Sequence, residues 1–304
     1  MTQEREELHL KYRPLCFDEY IGGEALKKAI ISNLPATHVF AFRGQRGCGK
    51  TTLARLIAKH LDIHERDIHE IDAADKTGID DARQIKTSVS YSPMGGKNKI
   101  YVIDECHRLT GNAWDSLLKT LEEPPRHCYF VLCTTDWNKV PITVRSRCKS
   151  FEVKPLLRRQ SKHLINWICE NESINIHEKV ENVILNECDG IPREIIIAID
   201  MVKSIKDPDQ AIELIVASKY NSQIIDLCQA LIKRSSWDKI TKIIKGLNEE
   251  PENIRYAVLG YMNSILLNKD NPQAAFVMIN FSDSFIYTKK SGLTIACYQS
   301  TRTN

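Results

Sequence analysis

The sequence predicts an α/β protein: an open parallel sheet flanked by helices in the first half of the chain, followed by helices alone. Two observations carry this prediction. Strand-like apolar runs alternate with helical periodicity up to about residue 153, and only helical periodicity continues from Arg158 onward. A chain of 304 residues is long enough for two or three domains. We therefore expect an α/β domain over 1–153, a small helical domain over 154–206 and a helical C-terminal domain over 207–304.

The elements of the first half follow from short apolar runs and from apolar residues spaced three or four apart. Strands are predicted at His38–Phe42, His69–Ala73, Lys99–Asp104 and Cys128–Cys133. Helices are predicted at Thr51–Leu61, Ile79–Val89 and Asn112–Glu123. The pair Pro124–Pro125 ends the last of these helices. Alternation of this kind indicates a parallel sheet with helices on both faces, whose ligand loops lie at the carboxyl ends of the strands.

Composition narrows the class of protein only a little. The net charge of +3 permits a nucleic-acid partner without arguing for one. The ten cysteines form no CxxC pair, so zinc-ligand spacing is absent, and many lie in apolar runs typical of buried, reduced thiols. No apolar run approaches the roughly 20 residues of a membrane span. The charged start MTQEREELHLKYRP has no apolar signal core, so we expect a cytoplasmic protein with no membrane partner.

A phosphate-binding motif follows the first predicted strand. Residues 44–51, GQRGCGKT, fit the pattern GxxxxGK[ST] between a strand and a helix. Its glycines let backbone N–H groups surround phosphate oxygens at the positive end of the helix. Lys50 is then expected to reach the β- and γ-phosphates, and the Thr51 hydroxyl to bind Mg²⁺. The alternative is a glycine-rich turn without a ligand.

Two acids end the strand IYVIDE. Unpaired carboxylates are costly to bury, so Asp104 and Glu105 are expected to face a site. Asp104 would hold the Mg²⁺ shell, and Glu105 would orient and deprotonate an attacking water. The alternative is a strand that runs into a polar loop.

At this point the motifs match a known family. They run in the same order over roughly residues 8–205. The matching segments are KYRP (11–14), IGGE (21–24), GQRGCGKTTLARLIAK, EIDAADKTGIDDAR, KIYVIDECHRL, LLKTLEEPP (117–125), CTTD (133–136), SRC (146–148) and GIPREI (190–195). The chain resembles the AAA+ clamp-loader ATPases, is similar to the gamma/tau subunits of bacterial DNA polymerase III, and is also related to the small subunits of replication factor C.

The resemblance implies a fold and an activity. The fold is an AAA+ P-loop parallel-sheet domain, a helical lid and an all-helical oligomerisation collar, with the boundaries given above. The activity is hydrolysis of ATP in a hetero-pentamer that contains other clamp-loader subunits. ATP binding would open a sliding clamp and grip primer-template DNA, and hydrolysis would release the closed clamp on DNA. The implied ligands are ATP and Mg²⁺.

The resemblance also assigns roles to single residues. Thr135 occupies the sensor-one position, Arg147 that of an arginine finger that reaches a neighbouring subunit, and Arg193 the sensor-two position. Without the resemblance, Arg147 and Arg193 would be interpreted as solvated surface charges, and Thr135 as a polar residue at the end of a strand. The implied catalytic residues are Lys50, Asp104, Glu105, Thr135, Arg147 and Arg193. The implied nucleotide-binding residues are Tyr12, Arg13, Pro14, Ile21, Gly44, Gly47, Cys48, Gly49, Lys50, Thr51, Thr52 and Arg193, with Thr51 and Asp104 as Mg²⁺ ligands.

Two surface segments match regions that bind DNA and the clamp in relatives. The DNA-binding candidates are Lys76, Arg83 and Lys86, and the clamp-contact candidates are Tyr91, Pro93 and Met94. Arg83 and Lys86 lie off the apolar stripe of their predicted helix and so can face outward. A solvated helix face and an ordinary loop explain the two sets equally well in isolation.

The sequence departs from the family pattern in three places. The four-cysteine zinc module is missing after the first predicted helix, so no zinc is expected, and His60, His64 and His69 are not read as ligands. The usual VGQE reads IGGE, which places Gly23 where the family has glutamine. The chain ends at residue 304, so we expect a compact, bacteriophage-type form without tau-like extensions.

Two other functions remain open. One is a different AAA+ DNA motor for branch migration or helicase loading, against which LLKTLEEPP and SRC argue together. The other is a non-catalytic clamp-loader scaffold, against which the intact Lys50, Thr51, Asp104 and Glu105 argue.

Overall fold

Parallel strands from the first half of the chain form one sheet in a computed structural model that describes residues 7–75, 78–218, 222–247 and 249–302. The strands are β1 Val39–Arg43, β2 Ile68–Asp72, β3 Lys99–Asp104, β4 Cys128–Thr134 and β5 Lys149–Glu152. Their order across the sheet is β2–β3–β4–β1–β5, and every neighbouring pair is parallel.

Helices connect and follow these strands. Those of the first part are α1 Leu8–Lys11, α2 Glu24–Asn33, α3 Lys50–His60, α4 Ile79–Val89, α5 Gly111–Glu122 and α6 Ile142–Arg145. Those after β5 are α7 Arg158–Glu172, α8 Glu178–Glu187, α9 Pro192–Val202, α10 Pro208–Ser218, α11 Ser222–Ile232, α12 Trp237–Gly246, α13 Pro251–Asn268, α14 Pro272–Asn280 and α15 Lys289–Thr301. Short 3-10 turns lie at Glu65–Asp67, Cys106–Arg108 and Trp137–Lys139.

The sheet is covered on both faces because its central strands are apolar on both sides. Phe40 and Phe42 of β1 belong to one hydrophobic cluster together with residues of α2 and α3. Val39 and Ala41 of the same strand belong to a second cluster together with residues of α4, α5 and α6. Alternate residues of a strand point to opposite faces, so the near-continuous apolar run of β1 indicates burial on both sides. The predicted α/β sheet with helices on both faces is confirmed.

The strand register brings the polar strand ends to one edge of the sheet. Arg43 of β1 pairs with Thr134 of β4, and Asp72 of β2 pairs with Asp104 of β3. In a parallel sheet this edge carries the ligand-binding loops. The motif residues of the phosphate loop and of the strand IYVIDE therefore meet at a common edge.

Most predicted elements agree with the structure to within one or two residues, and β3 agrees at both ends. Four elements of the first part were not predicted: the helices α1, α2 and α6, and the edge strand β5. The sequence of β5, KSFE, is mostly exposed and carries no apolar run that would reveal a strand. After Arg158 the described residues contain helices and no strand, as predicted.

The chain divides into two units, Met1–Ile174 with Cys188–Asp200, and Asn175–Glu187 with Met201–Asn304. The first contains the sheet, and the second is helical throughout its described residues. The division into 1–153, 154–206 and 207–304 stays a prediction. No helix among the described residues is long and apolar enough to span a membrane.

Arg255 and Glu252 form a buried ion pair in the second unit. Arg255 of α13 donates to Glu252 at 2.7 Å and also to the carbonyl oxygens of Phe281 and Ser282, each at 3.3 Å. The side-chain hydrogen bond and charge of Glu252 raise the pKa of Arg255 above its usual value. The guanidinium is thus satisfied by α13 and by the segment that follows α14.

Candidate nucleotide site

The loop between β1 and α3 can be built only with glycine at several positions. Gly44, Gly47 and Gly49 have φ angles of 153°, 83° and 97°. A Cβ at Gly44 would lie 2.2 Å from the carbonyl oxygen of Val153, and one at Gly47 would lie 2.8 Å from Cγ2 of Ile191. Neither position has room for a side chain, so the loop backbone approaches its neighbours closely and curls around the start of α3.

Lys50 is the first residue of α3 and is buried against this loop. Its ammonium donates to the carbonyl oxygens of Gly44 and Gln45, both at 2.9 Å. An ammonium has three N–H donors, so these two bonds fix its position and leave one donor for a ligand. A phosphate oxygen fits this arrangement, because the charge is already held at the positive end of a helix.

Thr51 and Asp104 bring together the phosphate loop and β3. The Thr51 hydroxyl donates to Oδ2 of Asp104 at 2.7 Å, and Oδ1 accepts the backbone N–H of Glu105 at 2.9 Å. Hydroxyl and carboxylate oxygens are the ligands that Mg²⁺ prefers, and it usually binds through one or two of them plus substrate phosphates. The two residues therefore fit a Mg²⁺ ion bound together with a nucleotide.

Glu105 lies at the end of β3 in an unusual backbone conformation. Its φ of 45° is in the left-handed region, and the chain turns there into the 3-10 turn Cys106–Arg108. The Thr135 hydroxyl, one residue beyond β4, donates to Oε2 of Glu105 at 2.9 Å. Nδ1 of His107 lies 3.3 Å from the same oxygen. Strain of this kind clusters at functional sites, where surrounding contacts hold it in place.

A cavity of about 440 Å³ joins these groups. The predicted residues that line it are Tyr12, Arg13, Pro14, Ile21, Gly47, Cys48, Gly49, Lys50, Thr51, Thr52, Asp104, Glu105 and Arg193. Gly44 and Thr135 are outside this lining, but each contacts a lining residue, through Lys50 and Glu105 respectively. The volume is in the range of small-molecule sites.

The lining of the cavity is partly aromatic, with Tyr12 and Tyr20. Tyr12 packs edge-on against Trp167 at a centroid distance of 5.1 Å and donates to Oε1 of Glu172 at 2.6 Å. Burial, followed by this hydrogen bond, raises the pKa of Tyr12. Burial lowers the pKa of Arg13, as do the nearby guanidinium groups of Arg55 and Arg193. A cationic rim here would favour an anionic ligand.

Arg193 reaches the cavity from the first turn of α9. Its backbone N–H donates to the carbonyl oxygen of Gly47 at 3.4 Å. Just before α9, the Leu156 N–H donates to the carbonyl oxygen of Gly190 at 2.8 Å, and a Cβ at Gly190 would lie 2.2 Å from the Leu156 oxygen. The start of α9 is thus held directly against the phosphate loop.

Arg147 lies outside the cavity. It follows α6 and donates to the carbonyl oxygen of Thr143 at 2.6 Å and to Oε1 of Glu122 at 3.0 Å. It therefore takes no part in the site of its own chain, and its role as a finger toward another subunit stays a prediction.

The two predicted surface segments lie on and after α4. Lys76 is outside the described residues. Arg83 and Lys86 are exposed, as their position off the apolar stripe predicts, and Arg83 pairs with Asp80 at 3.2 Å. Their binding to DNA stays a prediction.

The predicted clamp segment presents apolar side chains to solvent. Tyr91 is 66% exposed and Met94 is 80% exposed, whereas Pro93 is half-buried. The backbone N–H groups of Met94 and Gly95 donate to the buried carboxylate of Asp67, each at 2.7 Å. Asp67 therefore holds the backbone of the turn in place, and contact of this turn with a clamp stays a prediction.

Several site residues were missed by sequence reasoning. Tyr20 lines the cavity and donates to the carbonyl oxygen of Cys48 at 3.2 Å, and its ring lies where a Cβ of Gly49 would point. Arg46, Asp72 and Arg108 also line the cavity. Arg46, Asp72 and Arg108 carried a signal, since each lies within a matching motif, whereas Tyr20 lies in none.

Within the described ranges, no group of three His, Cys, Asp or Glu side chains is arranged to hold a metal ion. His69 is half-buried and stacks on Tyr101 at a ring-centroid distance of 4.8 Å, so it is a packing residue.

Comparison with known proteins identifies relatives of the chain. Residues 62–157 match the family described as DNA polymerase III, delta subunit. The chain is 30% identical to DNA polymerase III subunit tau of Escherichia coli over 87% of its own length and 46% of that protein. It is 37% identical to subunit gamma/tau of Mycoplasma pneumoniae over 57% of its length and 29% of that protein.

The chain thus spans about half or less of these curated relatives. The relatives do not test a bacteriophage origin, which stays a prediction. Among solved structures, RuvB of Thermotoga maritima, a Holliday junction branch migration motor, superposes with a TM-score of 0.57 at 23% identity, over 73% of this chain and 80% of that one. At that identity the likeness shows the fold alone. The chain is a homologue of the gamma/tau subunits of bacterial DNA polymerase III, built on the AAA+ ATPase fold.

Proposed function

We propose that this chain is an ATP-hydrolysing subunit of a sliding-clamp loader that works in DNA replication in the cytoplasm. One observation carries the proposal. The ends of β1, β3 and β4 bring a phosphate loop, a Thr51–Asp104 pair and a Glu105–Thr135 pair to one cavity, in a homologue of gamma/tau subunits. A chain that only served as a scaffold would not need this combination.

The residues divide the chemistry among them. Lys50 and the loop N–H groups bind the phosphates, and Arg193 contacts them from α9. Thr51 and Asp104 hold Mg²⁺, which neutralises charge on the phosphate oxygens when bound. Thr135 holds Oε2 of Glu105, and Glu105 orients a water and accepts its proton. The remaining lining residues Tyr12, Arg13, Pro14 and Ile21 receive the base and ribose end.

The nucleotide site of one subunit is completed by Arg147 of a neighbouring subunit. Arg147 lies away from the cavity of its own chain and is exposed enough to approach another, with its side chain 30% accessible. An arginine supplied in trans stabilises charge on the transferring phosphoryl group, and is worth about 10³–10⁵ in rate in related enzymes. In the proposed hetero-pentamer, the collar over 207–304 would join the subunits, and Arg193 would couple the nucleotide to the helical lid over 154–206.

The proposed partners are primer-template DNA and the clamp. ATP binding would open the clamp and close the spiral of subunits on DNA, and hydrolysis would release both. The exposed Arg83 and Lys86 are available to phosphates. Lys76, which lies outside the described residues, joins them in the proposal on the family pattern alone. The exposed Tyr91 and Met94 would contact the clamp.

A different AAA+ DNA motor is the second candidate. The likeness to RuvB supports it only at the level of fold, whereas the identities of 30% and 37% to tau and gamma/tau subunits favour a clamp loader. Dependence on a sliding clamp distinguishes the two candidates, because a branch-migration motor does not act on a clamp.

The test measures ATP hydrolysis by the chain assembled with its partner subunits, with and without clamp and primed DNA. The proposal expects hydrolysis that rises when both are present, and transfer of a labelled clamp onto primed circular DNA. Hydrolysis stimulated by junction DNA but indifferent to the clamp would support the second candidate instead. Absence of hydrolysis in a verified assembly would leave only the scaffold.

A further inference from the structure

The turn after β3 places a histidine against the proposed general base. His107 lies in the 3-10 turn Cys106–Arg108, two residues beyond Glu105, and its side chain is only 11% exposed. Nδ1 lies 3.3 Å from Oε2 of Glu105 and 3.0 Å from Oγ1 of Thr134. The imidazole therefore bridges the base to the buried end of β4.

The surrounding groups determine which ring nitrogen carries the proton. Oε2 of Glu105 is a carboxylate oxygen and can only accept when ionised. An Nδ1 without hydrogen would direct a lone pair at that oxygen from 3.3 Å, which is repulsive. A proton on Nδ1 instead points between two acceptors, Oε2 of Glu105 and Oγ1 of Thr134.

The Thr134 hydroxyl is itself fixed in place. It is fully buried, and its oxygen also accepts the backbone N–H of Asp136 at 3.0 Å. The imidazole is thus anchored on a rigid strand end rather than on a mobile side chain. Second partners of this kind fix both the tautomer and the orientation of a histidine.

Two elements then hold one oxygen of Glu105. Thr135 donates to Oε2 at 2.9 Å from the end of β4, and His107 approaches the same atom from the turn after β3. Within the residues that the structure describes, the hydrogen bonds and ion pairs of this carboxylate all involve Oε2. Oε1 is left to accept the proton of a water.

We propose that His107, with its proton on Nδ1, is a positioning residue that fixes the Glu105 carboxylate in the orientation needed to activate water. The inference rests on the proposed role of Glu105 as the base. His107 need not touch the nucleotide, so it should govern turnover and leave nucleotide binding unchanged.

The first test compares His107→Leu with His107→Asn in the assembled complex with clamp and primed DNA. Leucine fills the space but donates nothing, whereas the asparagine amide can place an N–H near the position of Nδ1. We expect His107→Leu to lower kcat about tenfold or more, as misplacement of a catalytic group does. KM and nucleotide affinity should stay within about twofold, and His107→Asn should recover most of the rate. Equal losses in both variants, or no loss in either, would overturn the proposal.

A double-mutant cycle separates positioning from packing. On a Glu105→Gln background, His107→Leu should cause no further loss, because there is no base left to orient. A further loss of similar size would show that the histidine acts on the fold or on another group. If wild type and Glu105→Gln hydrolyse ATP equally, the proposed function of Glu105 fails, and this inference fails with it. If they differ but His107→Leu equals wild type, only the inference fails.

A third measurement needs no activity. Nitrogen-15 chemical shifts of the ring in the wild-type chain without nucleotide report which nitrogen is protonated. The proposal expects a proton on Nδ1, with Thr134→Val as the variant that removes the second acceptor. A neutral ring protonated only on Nε2 would contradict the proposal even if the leucine variant did not fold.

Discussion

Replacing Glu105 with glutamine tests the proposed chemistry with little change in structure. Glutamine has the same length, and its amide oxygen can take the place of Oε2, which accepts from Thr135 at 2.9 Å. The left-handed φ of 45° at position 105 costs glutamate and glutamine the same conformational strain, because both have an ordinary Cβ. The Thr51–Asp104 pair and the Lys50 bonds to the loop do not involve the lost charge. Binding of ATP and Mg²⁺ should therefore persist.

Only the proton acceptor is removed, so hydrolysis should fall by the contribution of a positioned general base. That contribution is about 10²–10⁴ in rate. It corresponds to about 3–5 kcal/mol in the activation barrier. The assay pairs phosphate release, measured with clamp and primed DNA, with equilibrium binding of a fluorescent nucleotide.

Glu178→Gln makes the same chemical change at an exposed position in the first turn of α8 and serves as the control. Hydrolysis by Glu105→Gln at the control rate would show that another group activates water. Loss of nucleotide binding in step with hydrolysis would mean that the carboxylate holds the ligand rather than the water.

Three further changes follow from the same geometry. Lys50→Ala should weaken nucleotide binding, whereas Arg147→Ala should leave it unchanged. A mixed complex of these two inactive chains should regain part of its hydrolysis, because some interfaces then join an intact nucleotide site to an intact Arg147. No recovery in complexes verified by mass would exclude action of Arg147 in trans. Replacing Arg83 and Lys86 with alanine should flatten the salt dependence of primer-template binding by up to about 0.9 log units per lost phosphate contact, and an unchanged slope in a titration would remove them from the DNA surface. Asp67→Asn should lower the free energy of unfolding at pH 7 by about 1–3 kcal/mol, because the amide cannot accept from both N–H groups. Burial disfavours the ionised form of Asp67, but the hydrogen bonds from the backbone outweigh burial and lower its pKa. The difference in unfolding free energy between wild type and Asp67→Asn should therefore hold above about pH 4 and shrink as the pH falls through the folded-state pKa. A difference that grew in acid, measured by urea unfolding, would contradict the reasoning.

The sequence predicts the parts of this molecule whose signal is local. The phosphate loop depends on glycines and Lys50 within eight consecutive residues, and the structure brings them together as the motif implies. The acids Asp104 and Glu105 were found because a buried strand rarely ends in two carboxylates. Both signals are properties of one short segment and of the strand beside it.

What the sequence does not predict is contact between distant segments. Arg147 pairs with Glu122, 25 residues earlier, and no spacing rule links the two. Tyr20 reaches the phosphate loop only because the chain folds back over it. The edge strand β5 was also not predicted, because an exposed edge strand needs no apolar run.

Backbone hydrogen bonds hold the segment between β5 and α7 to the rest of the first unit, in addition to the packing of the buried Val153 side chain. The Val153 N–H donates to the carbonyl oxygen of Arg43 at 2.8 Å, and the Leu156 N–H donates to that of Gly190 at 2.8 Å. The two ties lie three residues apart, a span that stretches to no more than about 11 Å even when fully extended. The phosphate loop and the turn before α9 therefore cannot move far apart along this direction. The short connection therefore keeps Arg193, three residues beyond Gly190, close to the phosphate loop.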